Sequence, residues 1–158
     1  MNLVRLRSAT DDDLPLLTAF MRQLREDDPE EGAFDEPRCV PAMRRLIADP
    51  SLGRAWMIEV DAQPAGYAVL TLGYSIEFGG VAAFVDELFV AREFRGRGIG
   101  SKTLALVVDE ARKLDVAILL LEVTHSNERA KHVYRKVGFA DRGHHLMTMR
   151  PESSNGFS

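Results

Sequence analysis

The chain has 158 residues, of which 46% are hydrophobic and 28% charged, a balance typical of a globular domain rather than a disordered chain. Its net charge of −4 argues against nucleic acid as the main partner, because neutralising phosphates requires a basic surface. The longest apolar run, residues 116–121, is far too short to cross a membrane, and the first residues lack the features of a secretory signal.

Apolar periodicity and capping residues predict one mixed α/β domain over residues 1–150, followed by a frayed tail over residues 151–158. The expected order is β-α-α-β-β-β-α-β-α-β. Strands are predicted at residues 3–7, 55–60, 65–72, 82–90, 116–123 and 145–150. Helices are predicted at residues 10–24, 38–48, 101–114 and 127–137, with an acidic loop at 26–36. The helix that follows the third hairpin strand makes two strands of the sheet parallel.

A single cysteine, Cys39, excludes an internal disulfide and a cysteine-rich zinc site. The four histidines lack metal-ligand spacing supported by carboxylates. We therefore expect no metal, and a protein of the reducing cytoplasm.

A glycine-rich loop, RGRGIG at residues 95–100, lies between a predicted strand and a long predicted helix. Three glycines let backbone N–H groups turn inward without β-carbon clashes, and the helix that follows presents unpaired N–H groups and the positive end of its dipole. Arg95 and Arg97 add positive charge. Such a corner suits a phosphate or pyrophosphate group.

Two nucleotide-binding motifs come close to this loop. The dinucleotide fingerprint G-x-G-x-x-G fails, because the spacing here is G-x-G-x-G and the preceding strand is not the first of a parallel sheet. The triphosphate loop G-x-x-x-x-G-K-[ST] matches residues 96–103 except that Ser101 replaces the second glycine. A nucleotide-binding protein therefore stays open as an alternative.

The loop also resembles the coenzyme A signature of the GNAT family of N-acetyltransferases, R/Q-x-x-G-x-G/A, with Arg95, Gly98 and Gly100 at the defined positions. Residues 85–90, VDELFV, resemble the central strand of that family. A further block resembles its second motif at matching spacing: Leu121, Glu122, Val123, Asn127, Ala130, Tyr134, Gly138 and Phe139. The detailed resemblance covers residues 82–140.

The resemblance implies that acetyl-CoA lies in a gap beside the central strand. The backbone of Leu88, Phe89 and Val90 would bond the pantetheine arm, and residues 96–101 would hold the pyrophosphate. The implied cofactor contacts beyond the strand are Arg95, Gly96, Arg97, Gly98, Ile99, Gly100, Ser101, Asn127, Ala130 and Lys136. Helix capping alone would also explain Asn127.

Tyr134 is the implied general acid, because a phenol near the sulfur can protonate the departing thiolate. A packing role for the same side chain stays open. Glu87 is our candidate base for the amine, with Asp86 or a chain of waters as alternatives. Adjacent strand residues face opposite ways, so only one of the two carboxylates can face the acceptor.

The acidic loop suggests what the acceptor is. Seven acids lie between residues 26 and 36 with no basic residue among them, and they would attract a small cationic amine or polyamine. A merely solvated loop is the simpler alternative. A protein lysine or N-terminal acetyltransferase and a catalytically silent acyl-CoA sensor also stay open. Members of the family often dimerise, so a homodimer is a candidate assembly.

Overall fold

The structure is a computed structural model that describes residues 2–151, apart from the side chain of Glu31. Its five strands are β1 (Val4–Ser8), β2 (Gly53–Val60), β3 (Gln63–Ser75), β4 (Gly80–Val90) and β5 (Ile118–Leu121). Its four α-helices are α1 (Leu14–Asp27), α2 (Glu36–Ala48), α3 (Ile99–Lys113) and α4 (Glu128–Val137). Single 3-10 turns cover Asp11–Asp13, Pro29–Glu31 and Arg92–Phe94.

The strands form one sheet in the order β1-β2-β3-β4-β5. The first three neighbouring pairs are antiparallel, and β4 and β5 are parallel because α3 crosses between them. The hairpin between β2 and β3 turns at Asp61 and Ala62, both with positive φ as a two-residue hairpin loop requires. The predicted mixed α/β fold is confirmed.

Alternate residues of the strands feed two cores on opposite faces of the sheet. Met57, Tyr67 and Phe89 pack with α1 and α2 on one face. Trp56 and Leu70 pack with α3 on the other face, together with the apolar side of α4. The period of two in these strands thus separates the helices into two layers.

The closing strand predicted at residues 145–150 is wrong, because these residues form no strand. Three apolar side chains of this segment, Leu146, Met147 and Met149, are exposed. Leu146 and Met147 are adjacent and would face opposite sides of a strand, so the segment offers no consistent apolar face. The strand predicted at residues 116–123 is also shorter than expected, since β5 spans only Ile118–Leu121. Most of the predicted tail, residues 152–158, lies outside the described residues.

A charged cluster joins β1 to β2. Arg7 Nε donates to Glu59 Oε1 at 2.8 Å, and Arg7 Nη2 donates to Asp13 Oδ1 at 2.8 Å. Arg5 Nε donates to Glu59 Oε2 at 2.6 Å. These bonds from Arg7 are the main cause that lowers the pKa of both carboxyl groups below the ordinary values.

This cluster predicts a loss of stability in acid. Since the folded carboxyl groups bind protons less readily than the unfolded ones, their contribution is complete above about pH 5 and declines as the pH falls below about 4. We expect Arg7→Gln to lower the free energy of unfolding at pH 7 by about 1–2 kcal/mol and to flatten the decline in acid. Urea unfolding at pH 7 and pH 3.5 measures this, with the more exposed Arg5→Gln as the control. An equal decline in Arg7→Gln and the unchanged protein would contradict it.

Candidate functional site

The two parallel strands, β4 and β5, separate part-way along β4. Their pairing runs from Ala82 and Ile118 to Val85 and Leu121. At the same place β4 carries a bulge, because Val69 pairs with Glu87 while Leu70 pairs with Val85. Beyond Val85, within residues 2–151, β4 pairs with β3 alone. The other edge of this part of β4 borders a cleft.

The cleft has a volume of about 400 Å³ and four walls. They are the end of α1, the end of β4, the glycine loop with the start of α3, and the first turns of α4. The lining residues are Leu24, Asp27, Asp28, Leu88, Phe89, Val90, Arg95, Gly96, Gly98, Ile99, Gly100, Ser101, Asn127, Arg129, Ala130, Val133 and Tyr134. Eleven residues predicted to bind the cofactor therefore share one cleft with the predicted acid, Tyr134.

A glycine in β3 allows β4 to lie where it does. A β-carbon on Gly66 would sit 1.9 Å from the carbonyl oxygen of Phe89, so only glycine permits this approach. Gly66 pairs with Val90 at the end of the ladder. This close contact therefore holds the stretch of β4 that borders the cleft against β3.

The glycine loop turns directly into α3. Gly96 and Gly98 have φ values of 76° and 72°, and α3 begins at Ile99. The first N–H groups of a helix lack partners inside it, and those of Ile99, Gly100 and Ser101 belong to residues that line the cleft. A β-carbon on Gly96, Gly98 or Gly100 would meet no atom within 4 Å, so the loop leaves open space for a ligand. These features suit an anionic group.

The two arginines of the loop have different positions. Arg95 Nε donates to the carbonyl oxygen of Val90 at 2.7 Å, and its guanidinium carbon lies 5.5 Å from the centroid of the Phe89 ring. Arg97 is not among the lining residues and lies over the ring of Phe94 at 5.9 Å. Lys136 is exposed near the end of α4 and is likewise absent from the lining. The structure therefore does not bring Arg97 and Lys136 into the cleft.

The start of α4 forms the wall that faces β4. Asn127 Oδ1 accepts a hydrogen bond from the N–H of Ala130 at 3.1 Å, so Asn127 caps the helix while it lines the cleft. Tyr134 lies one helical turn beyond Ala130, and its ring centroid is 6.1 Å from that of Phe139. Burial raises the pKa of Tyr134 above its ordinary value of 10. Its phenol is therefore protonated at neutral pH.

The predicted base, Glu87, lies on the α1 side of β4 and is not part of the cleft lining. Its Oε1 accepts from Arg25 Nη2 at 2.8 Å, and its Oε2 accepts from the hydroxyl of Tyr67. Tyr67 is fully buried, and burial followed by the charge of Glu87 raises its pKa well above the ordinary value. Glu87 thus connects the core to α1, whereas Asp86 is exposed.

A second cavity of about 290 Å³ lies between α1 and the start of α2. Its lining residues are Arg22, Arg25, Glu26, Gly32, Ala33 and Phe34. Arg22 Nη2 donates to Glu36 at 2.5 Å, and the guanidinium lies 5.5 Å from the centroid of the Phe34 ring. Arg25 of α1 lines this cavity and bonds Glu87 of β4, whereas Leu24 and Asp27 of the same helix line the cleft. Both cavities therefore border α1 close to its contact with β4.

Several residues of the acidic loop have roles within the fold. The side chain of Asp28 accepts from the N–H of Glu30, and the side chain of Asp35 caps α2 through the N–H of Arg38. Asp27 bonds two arginines, and Glu36 bonds Arg22. The negative field of this loop is therefore weaker than its composition predicts. The sequence patterns do not point to Arg25, which lines the second cavity, or to Arg129, which lines the cleft, because both positions depend on how the helices pack.

A family model described as the acetyltransferase (GNAT) family matches residues 17–139. The chain belongs to this family. An uncharacterised N-acetyltransferase of Methanocaldococcus jannaschii is 32% identical over 89 residues, which are 55% of this chain and 39% of the relative. The spermidine N(1)-acetyltransferase of Escherichia coli is 29% identical over 92 residues, which are 57% of this chain and 47% of that protein. The matched region thus spans less than half the length of both relatives.

The fold is shared with solved acetyltransferase structures. A predicted acetyltransferase with acetyl-CoA from Clostridium acetobutylicum has a TM-score of 0.76, with 93% of this chain and 96% of that chain covered. Its sequence identity is 20%, so the likeness shows the fold. Within residues 2–151, no group of three or more His, Cys, Asp or Glu side chains could hold a metal ion. Of the helices described, none combines the length and apolarity needed to cross a membrane.

The close approach at Gly66 predicts the effect of a single methyl group. We expect Gly66→Ala to lower the free energy of unfolding by about 3 kcal/mol, because the new β-carbon must displace the backbone of Phe89. Gly73→Ala is the matched control in the same strand pair, since its β-carbon would lie 3.8 Å from the nearest atom, the carbonyl oxygen of Ala82. Denaturant unfolding of both variants measures the difference. Equal stability of the two variants would show that β4 has another position.

Proposed function

We propose that this protein transfers the acetyl group of acetyl-CoA to a primary amine of a small cationic molecule, directly and in a ternary complex. The observation that carries the proposal is the continuity of the cleft. Beyond Val85, the edge of β4 that no strand within residues 2–151 pairs with leads into a glycine loop at a helix N-terminus, and Tyr134 lines the same cleft. One elongated ligand with amides at one end and phosphates at the other fits this order of partners.

The residues present fit such a ligand. The backbone of Leu88, Phe89 and Val90 would pair with the pantetheine amides as a neighbouring strand does. The N–H groups of residues 96–101, with Arg95 beside them, would bind the pyrophosphate. Asn127 and Ala130 would flank the arm from α4. We assign Arg97 and Lys136 to the rim of the site, where they can interact only with phosphates that extend into solvent.

Tyr134 is the proposed general acid. Acetyl-CoA supplies a thioester, and transfer breaks its C–S bond while a C–N bond forms with the amine. The departing sulfur takes a proton, and the phenol of Tyr134 can supply it because the raised pKa keeps it protonated. The N–H of Val90 is the proposed donor to the developing negative charge on the acetyl oxygen, because strand alternation directs the N–H of Phe89 toward β3 and that of Val90 away from it.

Glu87 is the proposed acceptor of the proton that the amine loses. Arg25 bonds one carboxylate oxygen and the hydroxyl of Tyr67 bonds the other, and each oxygen has a second lone pair that can accept a proton. Glu87 itself lines neither cavity, but it is adjacent to Leu88, which lines the cleft, and it bonds Arg25, which lines the second cavity.

The second cavity is the proposed acceptor site. Both of its arginines are ion-paired, Arg22 with Glu36 and Arg25 with Glu87, and Glu26 adds a further negative charge. This favours a cationic amine. A relative named for spermidine is consistent with that class. We further propose that the enzyme is cytoplasmic, that the described residues form one acetyltransferase domain, and that a homodimer is its candidate assembly.

The acetylation assay tests both parts of the proposal. With acetyl-CoA as donor, we expect a polyamine to be acetylated at least tenfold faster than a neutral amine of similar length. Tyr134→Phe should lower kcat about 100-fold at pH 7 while the affinity for acetyl-CoA changes little, because only the acid is removed. Tyr74→Phe is the control, since Tyr74 is 73% exposed. Unchanged turnover in Tyr134→Phe would refute the role of Tyr134 as general acid. An equal rate with the neutral amine would refute a cationic molecule as the acceptor.

A further inference from the structure

A carboxylate from α1 lies against the proposed phosphate-binding loop. Asp27, the last residue of α1, bonds Arg95 through Oδ2 and Arg92 through Oδ1, both at 2.5 Å. The side chain of Asp27 is 17% exposed, whereas those of Arg95 and Arg92 are 35% and 73% exposed. Asp27 and Arg95 both line the cleft. The carboxylate of Asp27 is thus ion-paired with Arg95, the arginine that a bound pyrophosphate would contact.

We propose that Asp27 competes with the pyrophosphate of acetyl-CoA for Arg95 and thereby lowers the affinity of the protein for its cofactor. This inference rests on the proposed function, because it needs acetyl-CoA in the cleft. The ligand class concerned is any acyl-CoA, since the competition involves the diphosphate and not the acyl group. Asp27 acts through Arg95 and is therefore a positioning residue.

The other contacts of Arg95 explain why losing Asp27 should strengthen binding. Arg95 is also held by the carbonyl oxygen of Val90 and by the ring of Phe89. These two contacts keep the guanidinium beside the cleft when Asp27 is removed. The local charge then becomes more positive, which favours an anionic ligand.

Arg92 makes the exchange of partners feasible. When a pyrophosphate takes Arg95, Asp27 keeps its bond to Arg92, so its carboxylate does not lose every cationic partner. The exchange replaces one charge-assisted hydrogen bond to Arg95 with another, and no bond is made or broken covalently. The affinity of the cofactor is therefore reduced by the free energy of one partly exposed ion pair, and not abolished.

Calorimetric titration with CoA tests the proposal without any turnover. Asp27→Asn keeps the shape of the side chain and removes its charge, and we expect it to bind CoA about three- to tenfold more tightly. S-acetylpantetheine, which has no pyrophosphate, should bind both proteins equally. In an Arg95→Gln background, the same Asp27→Asn change should have no effect on CoA affinity, because the contested partner is absent.

Asp109→Asn is the matched control. Asp109 is a carboxylate on α3 that is also ion-paired with an arginine, Arg112, but it does not line the cleft. We expect less than a twofold change in its CoA affinity. Should Asp27→Asn fold poorly, Asp27→Ser gives the same comparison, and thermal unfolding of each variant without ligand verifies the fold.

Three results would overturn the competition: unchanged or weaker binding of CoA by Asp27→Asn, an equal gain in Asp109→Asn, or a gain that survives in the Arg95→Gln background. A merely structural role for Asp27 predicts the first of these. Failure of the proposed function has a different signature, since the unchanged protein would then not bind CoA at all.

Discussion

The ladder between β4 and β5 ends at the pair of Val85 and Leu121, and the location of the cleft depends on that end. A parallel sheet that stayed paired would satisfy every backbone group of β4 and leave no edge for a ligand. The bulge at Asp86 changes the course of β4 at this point, and Gly66 holds the following residues tightly against β3. β4 is therefore supported from one side and open on the other.

The bulge in β4 also determines on which side of the strand its charged and apolar side chains lie. Glu87 lies on the α1 side, where Arg25 and the buried Tyr67 bond it, while Leu88 lies in the cleft. Consecutive residues of α1 repeat this division, since Leu24 lines the cleft and Arg25 lines the second cavity. α1 therefore contributes residues both to the cleft, which is the proposed cofactor site, and to the second cavity, which is the proposed acceptor site.

Much of the fold could be predicted from local patterns. The period of two in β2 and β3, the cap at Asn127 and the glycine loop before α3 are all determined by neighbours in the sequence, and each lies where it was expected. The segment at 145–150 was mispredicted because a short apolar run has no fixed partner without its tertiary surroundings. For the site, local sequence patterns predict the backbone elements that line the cleft but not the side-chain pairs across it. The bonds from Asp27 to Arg92 and Arg95 join residues more than 60 positions apart, and the acidic loop alone suggested a different role for Asp27.

We propose that acetyl-CoA lies along the open edge of β4 with its phosphates on the glycine loop. Hydrogen exchange of the backbone amides, followed by mass spectrometry with and without CoA, tests this most directly. We expect slower exchange on CoA binding in peptides that cover residues 88–90 and 96–101, with little change in β1 and β2, and no such protection by Mg-ATP. Protection confined to other segments, or equal protection by Mg-ATP, would contradict it.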